Sequence, residues 1–298
     1  MSAPLPKVSV CVVTYNHVRY VADCLESLVA QETDFPFEII VGEDDSTDGA
    51  REVVEAFAKS YPKLIRAHFR QHRLGVTGNL QATHNAARGA YVAHLDGDDV
   101  ARPGKLAKQA ALLDAQPHIV ACGHRMAVIS ECGARTGRAF PRFLGAEFDL
   151  GKVVRCGMPF LYSSLMYRRA ARRLRSSDFE IFDWLVLTDL LRSGRCAFIP
   201  EELGLYRINR SSFTSKTARA EMRQRILANQ QMRFQAHGDC RPDVFASAAF
   251  DLYACVREGA PVSRAHRDLL RASLDWRSGP RLLDAFCFRM LNGAALAR

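Results

Sequence analysis

Short β-branched runs alternate with amphipathic segments over residues 8–117, and this alternation constrains the fold more than any other feature of the chain. Apolar runs without a helical period occur at residues 8–13, 37–41, 64–69 and 91–95. Segments with a helical period occur at residues 18–31, 49–61, 79–89 and 103–117. Strands and helices in alternation predict an α/β fold with a mainly parallel, twisted sheet flanked by helices.

Polar residues follow three of the predicted strands. These clusters are Thr14-Tyr15-Asn16, Glu43-Asp44-Asp45-Ser46 and Asp96-Gly97-Asp98-Asp99. Ligands of parallel α/β sheets bind beyond the carboxyl ends of the strands. We therefore expect the three clusters to converge on one edge of the sheet and to form a binding site there.

The stretch AHLDGDDV (93–100) places three like charges directly after a buried strand. A dinucleotide site would need G-x-G-x-x-G and a P-loop would need G-K-[ST], and TYNHVRY (14–20) contains neither. A divalent cation is then the expected counter-charge, and hard oxygen ligands suit Mg²⁺ or Mn²⁺ that bridges substrate phosphates. An EF-hand fails because Ala107 stands where its bidentate Glu is needed. The alternative without a metal is a tight Asp-Gly turn with solvated acids.

The net charge of +9 indicates an anionic partner, which is nucleic acid, a phospholipid surface or a phosphorylated small molecule. Nucleic acid is disfavoured because the sequence has no recognisable binding module and its acidic loops would repel phosphate. No apolar run approaches the roughly 18 residues of a membrane helix, and the first residues lack the apolar region of a signal peptide. The nine scattered cysteines form no C-x-x-C pair, which predicts reduced thiols in a cytoplasmic protein.

Six stretches together carry a family resemblance. They are VSVCVVTYNHVRYVADCLESLVAQ, FEIIVGEDDSTDGAREVVEAFA, LGVTGNLQATHNAARGAYVAHLDGDD, FLYSSLMYRR, FDWLVLTDLLRSG and IPEELGLYRINRSS. In order and spacing they resemble the inverting family-2 glycosyltransferases of the GT-A fold, over about residues 7–213. We therefore predict a GT-A domain over residues 1–215. We predict a helical C-terminal extension over residues 216–298, which packs on the sheet or, alternatively, meets anionic lipid or another subunit.

The resemblance implies contacts with a nucleotide-sugar donor. Thr14, Tyr15 and Asn16 would lie against the base and ribose. Asp44 would accept a hydrogen bond from the imide N–H of uracil or thymine, which favours a UDP- or dTDP-sugar. The residue types over 44–48 also suit a turn and a helix cap, and both roles remain open.

Two further positions match the donor side of the family. Asn79 fits a recurrent loop-to-helix position. Arg207 matches in YRINRSS, whereas Asn209 replaces a frequent His, so Arg207 or Arg210 would supply positive charge to the diphosphate instead.

The resemblance also assigns the metal ligand and the base. Asp98 matches the carboxylate that binds the metal directly, and Asp96 matches the carboxylate near the ribose and a metal-bound water. Asp183 matches the catalytic aspartate, which would take the proton of the attacking hydroxyl. Its hydrophobic neighbours, residues 181–182 and 184, would raise its pKa by desolvation. A structural role as helix N-cap is the alternative, and Asp189 is the second candidate for the base.

These observations predict an inverting glycosyltransferase that depends on Mn²⁺ or Mg²⁺. It would transfer a sugar from a UDP- or dTDP-sugar to a hydroxyl of a glycan or lipid-linked acceptor during the assembly of a surface polysaccharide, such as O-antigen, capsule or lipopolysaccharide. We expect it in the cytoplasm, with a peripheral location on the inner face of the plasma membrane as a further expectation. The alternatives are a nucleotidyltransferase, for which TYNHVRY is a poor phosphate clamp, and a non-catalytic nucleotide-sugar-binding protein.

Overall fold

The computed structural model describes residues 5–141, 146–173, 183–209, 241–257, 264–273 and 278–293. The strands are β1 (Val8–Thr14), β2 (Phe37–Glu43), β3 (Ile65–Phe69), β4 (Tyr91–Asp96), β5 (Val100–Ala101), β6 (Ile119–Ile129), β7 (Arg135–Phe140), β8 (Glu147–Phe148), β9 (Met166–Arg168) and β10 (Arg195–Arg207). The helices are α1 (Val21–Val29), α2 (Ala50–Ser60), α3 (Gly75–Asn85), α4 (Lys105–Ala115), α5 (Leu150–Cys156), α6 (Asp183–Leu190), α7 (Arg241–Arg257), α8 (Arg264–Ser273) and α9 (Ser278–Gly293). Two short 3₁₀ helices cover Tyr162–Ser164 and Arg169–Ala171.

The chain divides into two compact units. The first contains the described residues of 5–141, 146–147 and 160–207. The second contains residues 148–159 and 208–209 together with α7, α8 and α9. Helix α5 therefore belongs with the C-terminal helices, although it precedes β9 in the sequence. The predicted boundary between residues 215 and 216 lies outside the described residues and stays a prediction.

The first unit is built on a sheet with the strand order β3-β2-β1-β4-β9-β6-β10-β5. Strand β1 pairs in parallel with β2 and β4, β2 pairs in parallel with β3, and β10 pairs in parallel with β6. Strand β9 runs antiparallel to both β4 and β6 and so joins the two parallel groups. The predicted α/β class with a mainly parallel sheet is confirmed.

The core of the first unit explains why its strands read as continuous apolar runs. Side chains of β1, such as Val8, Val10 and Val12, are fully buried, and they share one cluster with Leu25 of α1 and Leu106 of α4. Parallel strands that are covered by helices have no face left for polar side chains. The sheet therefore presents its polar residues mainly at the strand ends.

The register of the sheet brings three strand ends to the same level. Thr14 is paired with Glu43, and the preceding residue of β1, Val13, is paired with Asp96. The loops that follow β1, β2 and β4 therefore begin side by side. The predicted convergence of the three polar clusters on one edge of the sheet is observed.

Helix α3 differs from its predicted range of 79–89, because it begins at Gly75 and ends at Asn85. The backbone N–H groups of Leu74 and Gly75 donate to the two carboxylate oxygens of Asp44, at 2.8 and 2.9 Å. This cap comes from another strand end, so the local periodicity of the helix cannot reveal it. Gly89, the predicted end of the helix, instead donates its N–H to the Ser9 hydroxyl at 2.8 Å.

Ion pairs connect three helices of the second unit. Arg155 on α5 contacts Asp243 on α7 at 2.6 Å and Asp284 on α9 at 2.7 Å. Arg281 on α9 contacts Asp243 as well, at 3.1 Å. The helical character predicted for the C-terminal region is observed in α7, α8 and α9, whereas the segment 221–238 lies outside the described residues.

Among the described helices, none combines the length and the apolar character that crossing a bilayer requires. The cysteines of the described ranges are free thiols. Cys132 and Cys287 are exposed, and the others are buried.

Candidate active site

The three carboxylates after β4 lie in different environments. Asp96 is partly exposed, Asp98 is 8% exposed and Asp99 is fully buried. Burial raises the pKa of Asp98, an effect that His17 and Arg207 oppose and Asp96 reinforces. Burial raises the pKa of Asp99 still more, and the charges of Asp98 and Asp96 add to it. Burial and mutual repulsion therefore disfavour the ionised forms of Asp98 and Asp99, and a bound cation would offset that cost.

Arg207, the last residue of β10, holds this loop in place. Its backbone N–H donates to Asp99 Oδ1 at 2.8 Å, and its Nε donates to the carbonyl oxygen of Asp98 at 2.9 Å. The other guanidinium nitrogens donate to the carbonyl of Glu131 and to the carboxylate of Asp23. The structure thus gives Arg207 a supporting role beneath the loop, and the implied contact with a diphosphate stays a prediction.

Asp96 is fixed from two sides. The Ser163 hydroxyl donates to Oδ2 at 3.0 Å, and His94 Nε2 donates to Oδ1 at 3.1 Å. Burial acts to raise the pKa of Asp96, but His94 and Ser163 outweigh it, so the pKa is lowered and the carboxylate is ionised. Sequence reasoning missed Ser163, because nothing in the local pattern links it to a residue 67 positions earlier.

A buried lysine of α4 holds the 3₁₀ helix that carries Ser163. Lys105 Nζ donates to the Ser163 carbonyl and to Gln109 Oε1, both at 3.2 Å. Gln109 Nε2 donates to the Ser164 carbonyl at 2.8 Å. Lys105 is fully buried, and burial lowers its pKa to about 7. The amphipathic pattern of α4 placed Lys105 in an ordinary helix and gave no sign of this supporting role.

Asp183 begins helix α6 and is exposed as a residue, although protein atoms surround its carboxyl group. Desolvation by the surrounding protein raises its pKa to about 6, with Asp96 adding to the shift and His94 opposing it. Asp189, the second candidate for the base, is 4% exposed and accepts the Arg173 backbone N–H at 2.9 Å. Asp183 is thus the accessible carboxylate of α6, and its pKa suits a base that works near neutral pH.

The hydrophobic residues expected around Asp183 are described only in part. Trp184 is buried, whereas residues 181 and 182 lie outside the described ranges. Asp183 is the first described residue of α6, and its alternative role as a helix N-cap stays a prediction. The two roles use different properties of the carboxylate, so the position alone does not decide between them.

Asp44 follows β2 at the same edge of the sheet and is 2% exposed. Burial raises its pKa, and the hydrogen bonds from Leu74 and Gly75 oppose that shift. The carboxylate caps α3, and each of its oxygens keeps a further lone pair. Asp44 therefore caps α3 and not α2, the helix that follows residues 44–48, and the contact with a pyrimidine imide stays a prediction.

The loop after β1 is tied to the loop after β2 by Asn16. Its backbone N–H donates to the Ser46 hydroxyl at 3.0 Å, and its side-chain Oδ1 accepts the Thr47 N–H at 2.9 Å. Asn16 adopts a positive φ of 54°, a conformation that asparagine tolerates better than most residues. Asn16 therefore shapes the predicted base and ribose site by joining its two loops.

Thr14 and Tyr15 lie on the same loop but differ in exposure. Thr14 is 2% exposed, and its hydroxyl lies 3.4 Å from His17 Nδ1. Tyr15 is partly exposed, and its ring faces the guanidinium of Arg73 at 4.0 Å. A planar aromatic ring next to a guanidinium offers stacking surface for a base, which is consistent with the predicted role of Tyr15.

Asn79 lies on α3 and is turned toward β2. Its Nδ2 donates to the Gly42 carbonyl at 2.8 Å, and its Oδ1 accepts from Arg70 Nε at 3.2 Å. Gly42 permits this packing, because a Cβ there would lie 2.5 Å from Asn79 Oδ1 and 2.0 Å from Thr83 Oγ1. Asn79 therefore supports the end of β2, and a direct contact with the nucleotide-sugar donor stays a prediction.

The donor atoms at this edge suit a hard divalent cation. Carboxylate oxygens are the ligands that Mg²⁺ and Mn²⁺ prefer, and Asp99 Oδ2 is buried without a hydrogen-bond partner. Within the described ranges, no group of three or more His, Cys, Asp or Glu residues is arranged to hold a metal ion. A cation here would therefore rely on few protein ligands, with Asp98 foremost, and on phosphate oxygens of a bound nucleotide.

Solved structures identify the fold as that of the GT-A glycosyltransferases. S. aureus TarS 1-349 in complex with UDP-GlcNAc matches with a TM-score of 0.59 at 19% identity, over 96% of this chain and 81% of that one. The mannosyltransferase PcManGT from Pyrobaculum calidifontis, in complex with GDP-Man and Mn²⁺, matches with a TM-score of 0.52 at 19% identity, over 99% and 77%. The predicted GT-A fold is confirmed.

The sequence profile of glycosyl transferase family 2 matches residues 9–174, so the chain belongs to this family, as the resemblance indicated. The uncharacterized protein Rv1520 of Mycobacterium tuberculosis is 34% identical over 203 residues. That match spans 67% of this chain and 58% of the relative's length, which is less than two thirds of it. An uncharacterized glycosyltransferase of Nostoc sp. is 26% identical over 258 residues, which are 83% of this chain and 79% of that protein.

Proposed function

We propose that this protein is an inverting, metal-dependent glycosyltransferase that transfers a sugar from a UDP- or dTDP-sugar to a hydroxyl of a glycan or lipid-linked acceptor. The observation that carries the proposal is the pairing of two unlike carboxylates in one unit. Asp96 is anchored and has a lowered pKa beside Asp98, whereas Asp183 is exposed and has a pKa of about 6. Family membership and the nucleotide-sugar complexes of TarS and PcManGT support it.

The donor would bind at the edge formed by the loops after β1, β2 and β4. Asp98 would hold Mn²⁺ or Mg²⁺, and Asp96 would face the ribose. When bound, the cation offsets charge on the departing nucleotide diphosphate as a Lewis acid. Asp44 would accept the imide N–H of uracil or thymine, and Tyr15 would stack on the base.

Asp183 would act as the general base. The acceptor hydroxyl loses its proton to the Asp183 carboxylate while its oxygen attacks the anomeric carbon. The bond from that carbon to the diphosphate oxygen breaks, and its electron pair leaves with the nucleotide diphosphate. Attack on the face opposite the leaving group inverts the anomeric configuration, through a transition state with oxocarbenium character.

A role in surface polysaccharide assembly at an anionic membrane surface is the finer part of the proposal. Helix α8 supports it, because Arg264, Arg267 and Arg271 are exposed at helical spacing while Leu269 is 2% exposed. A cationic helix face suits anionic lipid headgroups. Co-sedimentation with phosphatidylglycerol vesicles but not with phosphatidylcholine vesicles is the expected result, and equal recovery with both would contradict the membrane contact.

Incubation with UDP-, dTDP-, CDP- and GDP-sugars in the presence of Mn²⁺ tests the activity. We expect release of the nucleotide diphosphate from a UDP- or dTDP-sugar, and faster release with a competent acceptor. Binding without any release would favour a non-catalytic nucleotide-sugar-binding protein. Release of pyrophosphate from a nucleoside triphosphate and a sugar phosphate would favour a nucleotidyltransferase.

A further inference from the structure

A buried hydrogen-bond chain extends inward from Asp96. His94 Nε2 lies 3.1 Å from Asp96 Oδ1, and His94 Nδ1 lies 2.9 Å from His84 Nε2. His84 Nδ1 lies 2.9 Å from the Tyr167 hydroxyl. His94 and Tyr167 are fully buried, and His84 is 2% exposed. Four side chains thus form a continuous chain from the interior of the sheet to the predicted donor site.

Three secondary-structure elements contribute to this chain. His94 lies on β4, His84 on α3 and Tyr167 on β9, which pairs with β4. The ring of Tyr162 packs on His94 with ring centroids 4.3 Å apart, and the Tyr162 hydroxyl has no hydrogen-bond partner. The chain is therefore enclosed by packed protein, where hydrogen bonds are stronger than in water.

The direction of the chain follows from the acceptor at its end. An ionised carboxylate can only accept, so His94 Nε2–H donates to Asp96. When His94 carries one proton, at Nε2, its Nδ1 accepts from His84 Nε2–H, and a neutral His84 then accepts at Nδ1 from the Tyr167 hydroxyl. Burial lowers the pKa of His84 well below its usual value, which keeps the His84 ring neutral. In this arrangement every donor in the chain points toward Asp96.

Two imidazoles in a sheet core carry a desolvation cost that apolar side chains would avoid. What apolar side chains cannot supply is a fixed donor to Asp96 Oδ1. The Ser163 hydroxyl already holds Oδ2, so the two donors together define the plane of the carboxylate. A carboxylate that is oriented before the nucleotide sugar arrives loses less freedom on binding, which favours affinity for the nucleotide sugar.

We propose that Tyr167, His84 and His94 are positioning residues that orient Asp96 for binding of the nucleotide donor. This inference rests on the proposed function, because it takes Asp96 as a donor-binding residue. The chain acts through Asp96 alone and touches no substrate. Its effect should therefore appear in the affinity for the nucleotide donor. A side chain at position 94 that can donate a hydrogen bond should recover that affinity.

Calorimetric titration with UDP and Mn²⁺ compares four variants with the wild type. His94→Phe fills the space without a donor, His94→Gln restores an N–H donor, and Tyr167→Phe removes the hydroxyl at the far end of the chain. Tyr162→Phe is the matched control, since it removes a buried hydroxyl that is outside the chain. Asp96 is predicted to lie beside a metal-bound water, and the loss of a partner that supports a metal site changes affinity by about 10–100-fold, so His94→Phe should weaken UDP binding at least about tenfold.

The other variants separate positioning from packing. His94→Gln should bind UDP within about threefold of the wild type, Tyr167→Phe should fall between His94→Phe and the wild type, and Tyr162→Phe should match the wild type. Melting temperatures are recorded for every variant. A lower melting temperature in His94→Phe and Tyr167→Phe with wild-type UDP affinity would reduce the chain to a structural role and overturn the proposal.

A second measurement needs no nucleotide and no folded His94→Phe variant. In ¹⁵N NMR spectra of histidine-labelled wild-type protein, assigned with His84→Gln and His94→Gln, both rings should carry their proton on Nε2. A proton on Nδ1 of either neutral ring would overturn the proposed direction of the chain. If the wild type fails to bind UDP with Mn²⁺, the proposed nucleotide donor is wrong. The tautomers of His84 and His94 then still test the direction of the hydrogen-bond chain.

Discussion

Replacing Asp183 by Asn removes the proton acceptor of the proposed reaction and preserves the shape of the side chain. With a pKa of about 6, roughly nine-tenths of the Asp183 carboxylate is ionised at pH 7. A general base contributes about 10²–10⁴-fold in rate, so we expect turnover to fall by at least about 10²-fold. The affinity for UDP with Mn²⁺ should stay within about twofold, because a base is not needed for donor binding.

The pH dependence gives a second, independent signature of Asp183. Wild-type turnover should rise with pH through about 6 and then level off, because only the ionised carboxylate accepts a proton. The pKa is raised above the usual 3.8, so ionisation of Asp183 destabilises the folded state as pH rises between these two values. Asp183→Asn should therefore raise the melting temperature at a pH well above 6 and change it little below 3.8.

The assay pairs Asp183→Asn with Asp189→Asn, and each variant is measured for UDP affinity by calorimetry and for turnover of a UDP-sugar. Asp189 is a buried acceptor of the Arg173 N–H, so its variant should lose stability and keep turnover within about twofold per folded molecule. Loss of turnover in Asp189→Asn with full activity in Asp183→Asn would refute the assignment of the base. Full activity in both variants would refute base-assisted displacement from α6.

Three further substitutions test the donor edge. Asp44→Ala should erode a preference of about tenfold or more for UDP over CDP, since one lost hydrogen bond costs about 1–3 kcal/mol; equal wild-type affinities for the two nucleotides would leave Asp44 with capping alone. Arg207→Lys should lower the free energy of unfolding in urea by about 2 kcal/mol through lost charge-assisted hydrogen bonds. Unchanged stability with weaker UDP binding would instead assign Arg207 to the diphosphate. Gly42→Ala should lower the free energy of unfolding by about 1–3 kcal/mol, because the added Cβ would lie 2.5 Å from Asn79 Oδ1. A variant that melts at the wild-type temperature would contradict this packing.

The order of strands and helices could be predicted because each element carries its own local pattern. β-branched runs become buried strands, and the residues that follow them lie at the carboxyl edge of a parallel sheet whatever the rest of the chain does. The meeting of the Thr14, Asp44 and Asp96 loops at one edge follows from this rule alone. The same local reasoning misplaced α3, because the cap from Asp44 comes from 30 residues away.

The support of the site could not be predicted, since it depends on partners that are distant in the sequence. Ser163 contacts Asp96 across 67 positions, and Lys105 contacts the Ser163 carbonyl across 58. Arg207 shows a further limit of motif matching. The motif indicates that an arginine belongs at the end of β10, but only the structure shows that its guanidinium holds the acidic loop.

Calorimetry of UDP binding to the wild type and to Asp98→Asn, with Mn²⁺ and with EDTA, tests the central claim most directly. Burial raises the pKa of Asp98, so the neutral substitution should leave the fold intact, and a thermal melt of each sample verifies this. We predict that the wild type binds UDP with Mn²⁺ and loses that binding in EDTA, and that Asp98→Asn shows no Mn²⁺-dependent binding. UDP affinity that is unchanged in folded Asp98→Asn, or unchanged after EDTA, would contradict a metal-held nucleotide at this edge of the sheet.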